Sequence, residues 1–222
     1  MTLLIKMPTR QRRRQFMNVL DKYCDLLSGK HDVKFVISMD SDDREMNCSK
    51  VTKWLDAKKN LRYFYGKNRT KMQAINANME HAGKFDILLL ASDDMFPQVK
   101  GYDDIICTKM QKYFPDLFGA LHFNDGRVGN RLNTLSIMGK KMYDYFGYIY
   151  HPDYKSVWCD NEFHEVTTQM NKVVYIDKVI IKHNWGGANG DKLYRRNENL
   201  YGRDKIVFLK RQSMGFPSGS VM

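Results

Sequence analysis

The chain has 222 residues, 43% hydrophobic and 13% aromatic, enough for one substantial domain with a large core and too apolar for wholesale disorder. Its formal net charge of +11 favours polyanionic partners (nucleotides, nucleic acid or an anionic membrane surface), with a merely solvated basic surface as the other reading. Four widely spaced cysteines without a CxxC pair argue against a zinc site or a disulfide framework. With no apolar run near the roughly 18 residues of a membrane helix and too short an apolar start for a signal peptide, we expect a soluble, cytoplasmic protein.

In chain order, apolar runs bounded by turn residues alternate with helical patterns, which predicts an α/β domain. Thr2–Met7 reads as a first strand, broken at Pro8, with Thr9 as N-cap of a helix to about Leu27. Val33–Met39 is a second strand, ending in the acidic turn Asp40-Ser41-Asp42-Asp43. A short helix over Val51–Ala57, a strand over Leu61–Tyr65 and a helix over Thr70–Ala82 follow. Phe85–Ala91 is nearly all apolar, so it predicts a central strand covered on both faces, running straight into Ser92-Asp93-Asp94. Beyond it lie a helix at Tyr102–Tyr113, strands near Phe118–Phe123 and Thr134–Met138, and helices at Lys140–Phe146 and Asn161–Met170. A late strand covers Val173–Lys182. Residues 186–212 read as a basic helical segment and 213–222 as a flexible tail. No repeat or low-complexity tract divides the chain, so one domain over residues 1–222 is expected.

The chemistry concentrates at strand ends. A buried strand delivering Asp93 and Asp94 to its C-terminal end places two carboxylates where open α/β sheets bind ligands. Their mutual repulsion is relieved by a divalent cation such as Mg²⁺ or Mn²⁺, or the pair is simply a capping turn. Asp40 and Asp42 occupy the same edge and offer acceptors to a base or a ribose hydroxyl. Lys67, Arg69 and Lys71 put cations at a helix start, against the macrodipole, which diphosphate binding would explain; Arg10 faces the same choice between phosphate ligand and solvated loop. Asp160 and Glu162 stand at another helix start, where a carboxylate is either electrostatic or a general base. His183 follows the late strand.

Taken in order, these pieces resemble the family-2-like glycosyltransferases of the GT-A fold. The matching residues are Met7-Pro8-Thr9-Arg10, Met39-Asp40-Ser41-Asp42, Lys71 with Asn76 and Asn78, Ser92-Asp93-Asp94, Asp160-Asn161-Glu162-Phe163 and His183. The resemblance covers roughly residues 2–185. It implies a single Rossmann-like GT-A domain whose mixed, mainly parallel sheet is flanked by helices, binding a nucleotide-sugar donor with Mn²⁺ or Mg²⁺. On it, Asp94 is the principal metal ligand and His183 completes the metal shell. Pro8, Thr9, Arg10, Arg69, Lys71 and Asn76 contact the donor; Asp40 reads the nucleobase, with Asp42 as second candidate; Asp93 lies nearer the ribose or the metal's waters. Asp160 is the base of an inverting displacement. Ser92 and Cys159 depart from the family's usual acids at their positions.

The acceptor is less marked. From Lys178 to Arg211 there are nine basic residues against three acids, interleaved with Tyr194 and Tyr201, which suits a phosphate backbone or anionic headgroups. Bacteriophage enzymes that glycosylate hydroxymethylated DNA bases would fit such a protein, with Glu162, Trp185, Arg195 and Arg196 as candidate acceptor contacts. A polysaccharide or lipid acceptor is the alternative. A nucleotidyltransferase would call for a glycine-rich loop that Pro8-Thr9-Arg10-Gln11 does not supply, and a non-catalytic nucleic-acid binder gives no reason for Asp93-Asp94 behind an apolar strand.

Overall fold

The computed structural model describes residues 1–184 and 192–216. Four strands, β1 (Thr2–Thr9), β2 (Asp32–Asp40), β3 (Leu61–Gly66) and β4 (Ile87–Leu90), run parallel. With β6 (Ala120–Phe123), β7 (Ile137–Gly139) and β8 (Val173–Ile176) they form a sheet ordered β3-β2-β1-β4-β7-β6-β8, in which β7 alone is antiparallel to its neighbours. β5 (Met95–Pro97) and β9 (Ile181–His183) pair separately, antiparallel, as a two-stranded ribbon.

The apolar strands feed two cores because side chains alternate across a sheet. Leu3, Ile5, Met7, Ile87 and Leu89 face one layer, with Phe16, Val19 and Leu20 of α1 (Arg13–Asp25), Val51 and Leu55 of α2 (Ser49–Asp56), and Ile106 and Met110 of α4 (Tyr102–Tyr113). Leu4, Leu88 and Leu90 face the other, against α3 (Lys71–Asn76), α5 (Lys140–Phe146) and α6 (Cys159–Gln169) through Met72, Ile75, Met142, Phe146 and Phe163. The central strand is thus covered on both faces, as its composition requires. Among the described residues no helix is long and apolar enough to cross a membrane.

Several local expectations are corrected. Thr9 does not cap α1: it still belongs to β1, and the helix begins at Arg13, after Gln11 and Arg12 take left-handed backbone at φ 58° and 51°. The helix expected to Ala82 stops at Asn76, because Ala77 is extended and Asn78 is left-handed, leaving only a 3-10 turn at Met79–His81. The single late strand is two: β8 joins the main sheet, while β9 leaves it to pair with β5. Pro8 is tolerated within β1 because pairing with β4 ends at Lys6, so no ladder partner awaits its missing N–H.

The basic segment resolves into α7 (Lys192–Glu198) and α8 (Tyr201–Ser213). α8 is docked rather than free. Arg211 forms a bidentate ion pair with Glu162 at 2.7 and 2.9 Å, both residues about 5% exposed, and Phe208 lies in the second core. Packing continues to Phe216, whose ring sits 5.5 Å from Phe208; residues 217–222 of the expected tail lie outside the described residues. Arg211→Met would strand a buried carboxylate. We expect it to cost about 3–5 kcal/mol of unfolding free energy in urea titrations; a loss near zero would show that water already screens the pair.

Candidate active site

The C-terminal ends of β1, β2, β3 and β4 lie along one edge of the sheet, since the four strands are parallel, and the loops leaving them carry the polar residues singled out above. Ser92-Asp93-Asp94 follows β4, and the structure splits the carboxylate pair. Asp93, 5% exposed, turns toward the β1–α1 loop, where Arg12 Nη1 donates at 3.1 Å and Thr9 Oγ1 at 3.4 Å. Its carbonyl accepts Gln15 Nε2 at 2.9 Å. Burial, and then the charge of Asp94, push the Asp93 carboxyl up to about 6, with Arg12 opposing.

Asp94 turns the other way. Its Oδ1 lies 3.5 Å from His183 Nε2 and accepts the Ser92 hydroxyl. Burial alone would raise its pKa, but His183, Ser92 and the charge of Lys71 outweigh that and hold it well below the usual carboxylate range. The β5–β9 ribbon creates this proximity: Met95 pairs with His183, Asn184 N–H donates to the Asp94 carbonyl at 2.8 Å, and His183 N–H to Asp125 at 3.0 Å. Among the described residues no three His, Cys, Asp or Glu side chains form a ready cage. An ionised carboxylate beside an imidazole nonetheless fits Mn²⁺ or Mg²⁺, cations that take one or two protein ligands and complete their shell with water and substrate phosphate.

At the end of β2, Arg10 bridges Asp40 at 2.7 Å and Asp42 at 2.5 Å, and Asn68 Nδ2 donates to Asp40 at 2.9 Å. Asp40 is buried while Asp42 is largely exposed. Exposed Arg196 of α7 also acts on Asp42, lowering its pKa after the contribution of Arg10. Arg195 is likewise exposed, and Trp185 lies outside the described residues.

Lys71, exposed at the start of α3, reaches both Asp94 and Asp160 electrostatically, and its backbone N–H donates to the Lys155 carbonyl at 3.1 Å. Arg69 is exposed nearby. Asp160 sits in the first turn of α6, after Trp158 in left-handed backbone at φ 66°. Removal from water raises the Asp160 pKa, while Lys71 and His183 pull it down. Asp94, His183, Lys71 and Asp160 therefore share one electrostatic neighbourhood.

Two candidates are corrected. Glu162, two residues beyond Asp160 and so about 200° around the helix, points inward to Arg211 and accepts the Tyr154 hydroxyl at 2.7 Å; it does not face an acceptor. Asn76 has its side-chain amide committed to the fold: it donates to the Tyr150 carbonyl at 2.7 Å and accepts from Ile149 N–H at 2.8 Å. Sequence reading passed over Arg12 and Asn68, since nothing within Arg10-Gln11-Arg12-Arg13-Arg14 distinguishes the guanidinium that turns inward.

The carboxylate at 93 has a consequence for stability. Its folded pKa lies above the unfolded 3.8, so its contribution is full below about pH 4 and is lost as pH rises to about 6. For the metal-free protein in EDTA we expect a decline of about 3 kcal/mol across that window, missing from Asp93→Asn. Equal slopes for the two proteins in denaturant titrations at pH 4, 5, 6 and 7 would refute the assignment.

Solved glycosyltransferases share this architecture. A mannosyltransferase from Pyrobaculum calidifontis, in complex with GDP-Man and Mn²⁺, superposes with a TM-score of 0.66 at 13% identity, covering 84% of this chain and 58% of its own. Residues 1–349 of S. aureus TarS, in complex with UDP-GlcNAc, give 0.65 at 14% identity, covering 86% and 60%. A Drosophila β-1,4-galactosyltransferase 7 mutant with manganese, UDP-Gal and xylobiose gives 0.54 at 11% identity, covering 88% and 74%. The fold is thus that of GT-A-type glycosyltransferases, and the chain spans less than two thirds of the first two relatives. No family model matches the sequence, and no curated protein matches it either.

Proposed function

We propose that this protein is a metal-dependent glycosyltransferase that uses a nucleotide-sugar donor. The observation that carries the reading is the convergence of Asp94, His183, Lys71 and Asp160 at the C-terminal edge of a sheet shared with sugar-nucleotide transferases. Asp94 and His183 would hold Mn²⁺ or Mg²⁺, which when bound neutralises charge on the donor diphosphate. Lys71 and Arg69 stabilise the departing diphosphate, and Asp40, with Arg10, Asp42 and Asn68 around it, forms the wall for the nucleobase and ribose. Pro8 and Thr9 shape the floor between β1 and Asp93. Asp160 accepts the proton of the acceptor hydroxyl as the hydroxyl oxygen bonds to the anomeric carbon and the bond from that carbon to the diphosphate breaks, releasing nucleoside diphosphate. A single displacement of this kind inverts the anomeric centre.

For the acceptor we propose a hydroxymethylated DNA base, supported by the basic surplus toward the C-terminus, with exposed Arg195, Arg196, Lys205 and Lys210 on α7 and α8. A saccharide or lipid acceptor is the second reading. It is favoured by the xylobiose bound together with UDP-Gal in the galactosyltransferase structure of similar fold, and by the inward use of Arg211, which removes one cation from the outer face.

The test is release of nucleoside diphosphate from a panel of nucleotide sugars with Mn²⁺, with and without hydroxymethylated DNA, wild type beside Asp94→Ala. DNA-stimulated release lost in the variant supports both parts. Release indifferent to DNA keeps the transferase and moves the acceptor to glycans or lipids. A folded protein that neither binds nor cleaves any donor ends the proposal.

A further inference from the structure

We infer that Asp204, in the C-terminal helix, is a positioning residue for the catalytic loop, so that α8 is part of the active-site machinery rather than an accessory basic face. The inference rests on the glycosyltransferase reading, because it concerns how Asp160 and Lys71 are held.

Asp204 lies in the first turn of α8 and is fully buried. An acid there ordinarily answers the amides of its own helix. This one answers a loop nearly fifty residues earlier. Its two oxygens accept the N–H of Lys155 at 3.1 and 3.2 Å, and Oδ2 accepts Ser156 at 2.8 Å and Val157 at 3.0 Å. Three successive backbone donors converging on one carboxylate form a small anion nest whose anion is built into the chain. Arg203 completes it, donating to Asp204 Oδ1 at 2.6 Å and to the Asp153 carbonyl at 2.9 Å.

The loop so gripped joins both halves of the site. The Lys155 carbonyl accepts the backbone N–H of Lys71, which ties the start of α3 to it. One residue past Val157, Trp158 adopts its left-handed turn, with its ring 5.3 Å from Tyr201 and 5.1 Å from Phe208, both on α8. Asp160 follows in the first turn of α6. A left-handed backbone at a bulky residue persists only where its surroundings over-determine it. Here the carboxylate fixes the loop before Trp158 and the aromatic contacts fix its ring. Removing Asp204 leaves three amides without their acceptor and frees the segment that aims Asp160 at the acceptor and Lys71 at the diphosphate. It breaks no contact of the Asp94–His183 pair.

The experiment compares Asp204→Asn and Asp204→Glu with wild type in the full chain. Amide exchange of residues 155–160, the donor KM and the transfer kcat are measured for proteins of verified fold. The expected result for Asp204→Asn is faster exchange over 155–157 and a fall in kcat of about 100-fold, the size of effect that a misplacement near 1 Å produces. The donor KM should stay within about 3-fold, and Asp204→Glu should recover part of the kcat because it keeps the charge. A merely stabilising role would lower the melting temperature and leave kcat within about 2-fold, which overturns the inference. If Asp204→Asn does not fold, Asp204→Glu decides through exchange and kcat together: loosened 155–157 amides at wild-type kcat overturn the inference, and loosened amides with a reduced kcat at unchanged donor KM support it. A wild type that transfers no sugar removes the underlying reading and the inference with it, whereas an active wild type with an equally active Asp204→Asn removes the inference alone.

Discussion

Asp94→Ala is expected to abolish Mn²⁺-dependent turnover of the nucleotide sugar, with a loss of roughly 10³-fold or more, the scale of removing several kcal/mol of charge stabilisation on the leaving group. The structure gives this residue a distinct standing from its neighbour. Asp94 is kept ionised by His183, Ser92 and Lys71, whereas Asp93 is committed to Arg12 and Thr9 and pushed up toward about 6. The ionised member can serve a cation at neutral pH without first giving up a guanidinium partner. Titration of Mn²⁺ and nucleoside diphosphate by calorimetry, with circular dichroism to confirm the fold, checks the claim. His183→Ala should weaken Mn²⁺ affinity less severely, since a carboxylate and the diphosphate would remain as ligands. Full Mn²⁺-dependent turnover in Asp94→Ala would move the metal elsewhere and discard the site as drawn.

Asp160→Asn should lower transfer by about 10²- to 10⁴-fold while leaving donor binding nearly unchanged, the pattern of a lost general base. The pH dependence gives a sharper check. Burial raises the Asp160 pKa from its ordinary 3.8, with Lys71 and then His183 among the opposing influences. Transfer requires the ionised form, so kcat/KM should fall as pH drops through that raised value, placing the acid limb above the ordinary carboxylate range. Lys71→Met removes the strongest opposing charge and should move the limb further up. A limb that stays put in Lys71→Met, or persists in Asp160→Asn, would assign it to another group.

The sequence by itself determined what depends on local pattern. The α4 and α5 boundaries, Tyr102–Tyr113 and Lys140–Phe146, and the strands β1, β2 and β4 follow from periodicity and runs of buried apolar residues. That Asp40 and Asp94 share an edge follows as well, because parallel strands end on the same side of a sheet. Whatever depends on pairing between distant segments was decided only by the tertiary structure. The six-residue Ile-Leu-Leu-Leu-Ala-Ser stretch marks a strand but cannot say that its Asp94 will meet His183, which required the late strand to break after Ile176 and return as β9 against β5. Glu162 read as a site residue from its place beside Asp160, yet helical rotation of about 200° turned it inward to Arg211. Asp204 read as one acid in a basic segment, and three amides of a loop some fifty residues away gave it a function in the fold. Charge and spacing are properties of neighbours along the chain, whereas burial and hydrogen-bond partners are properties of neighbours in space, and only folding supplies the second set.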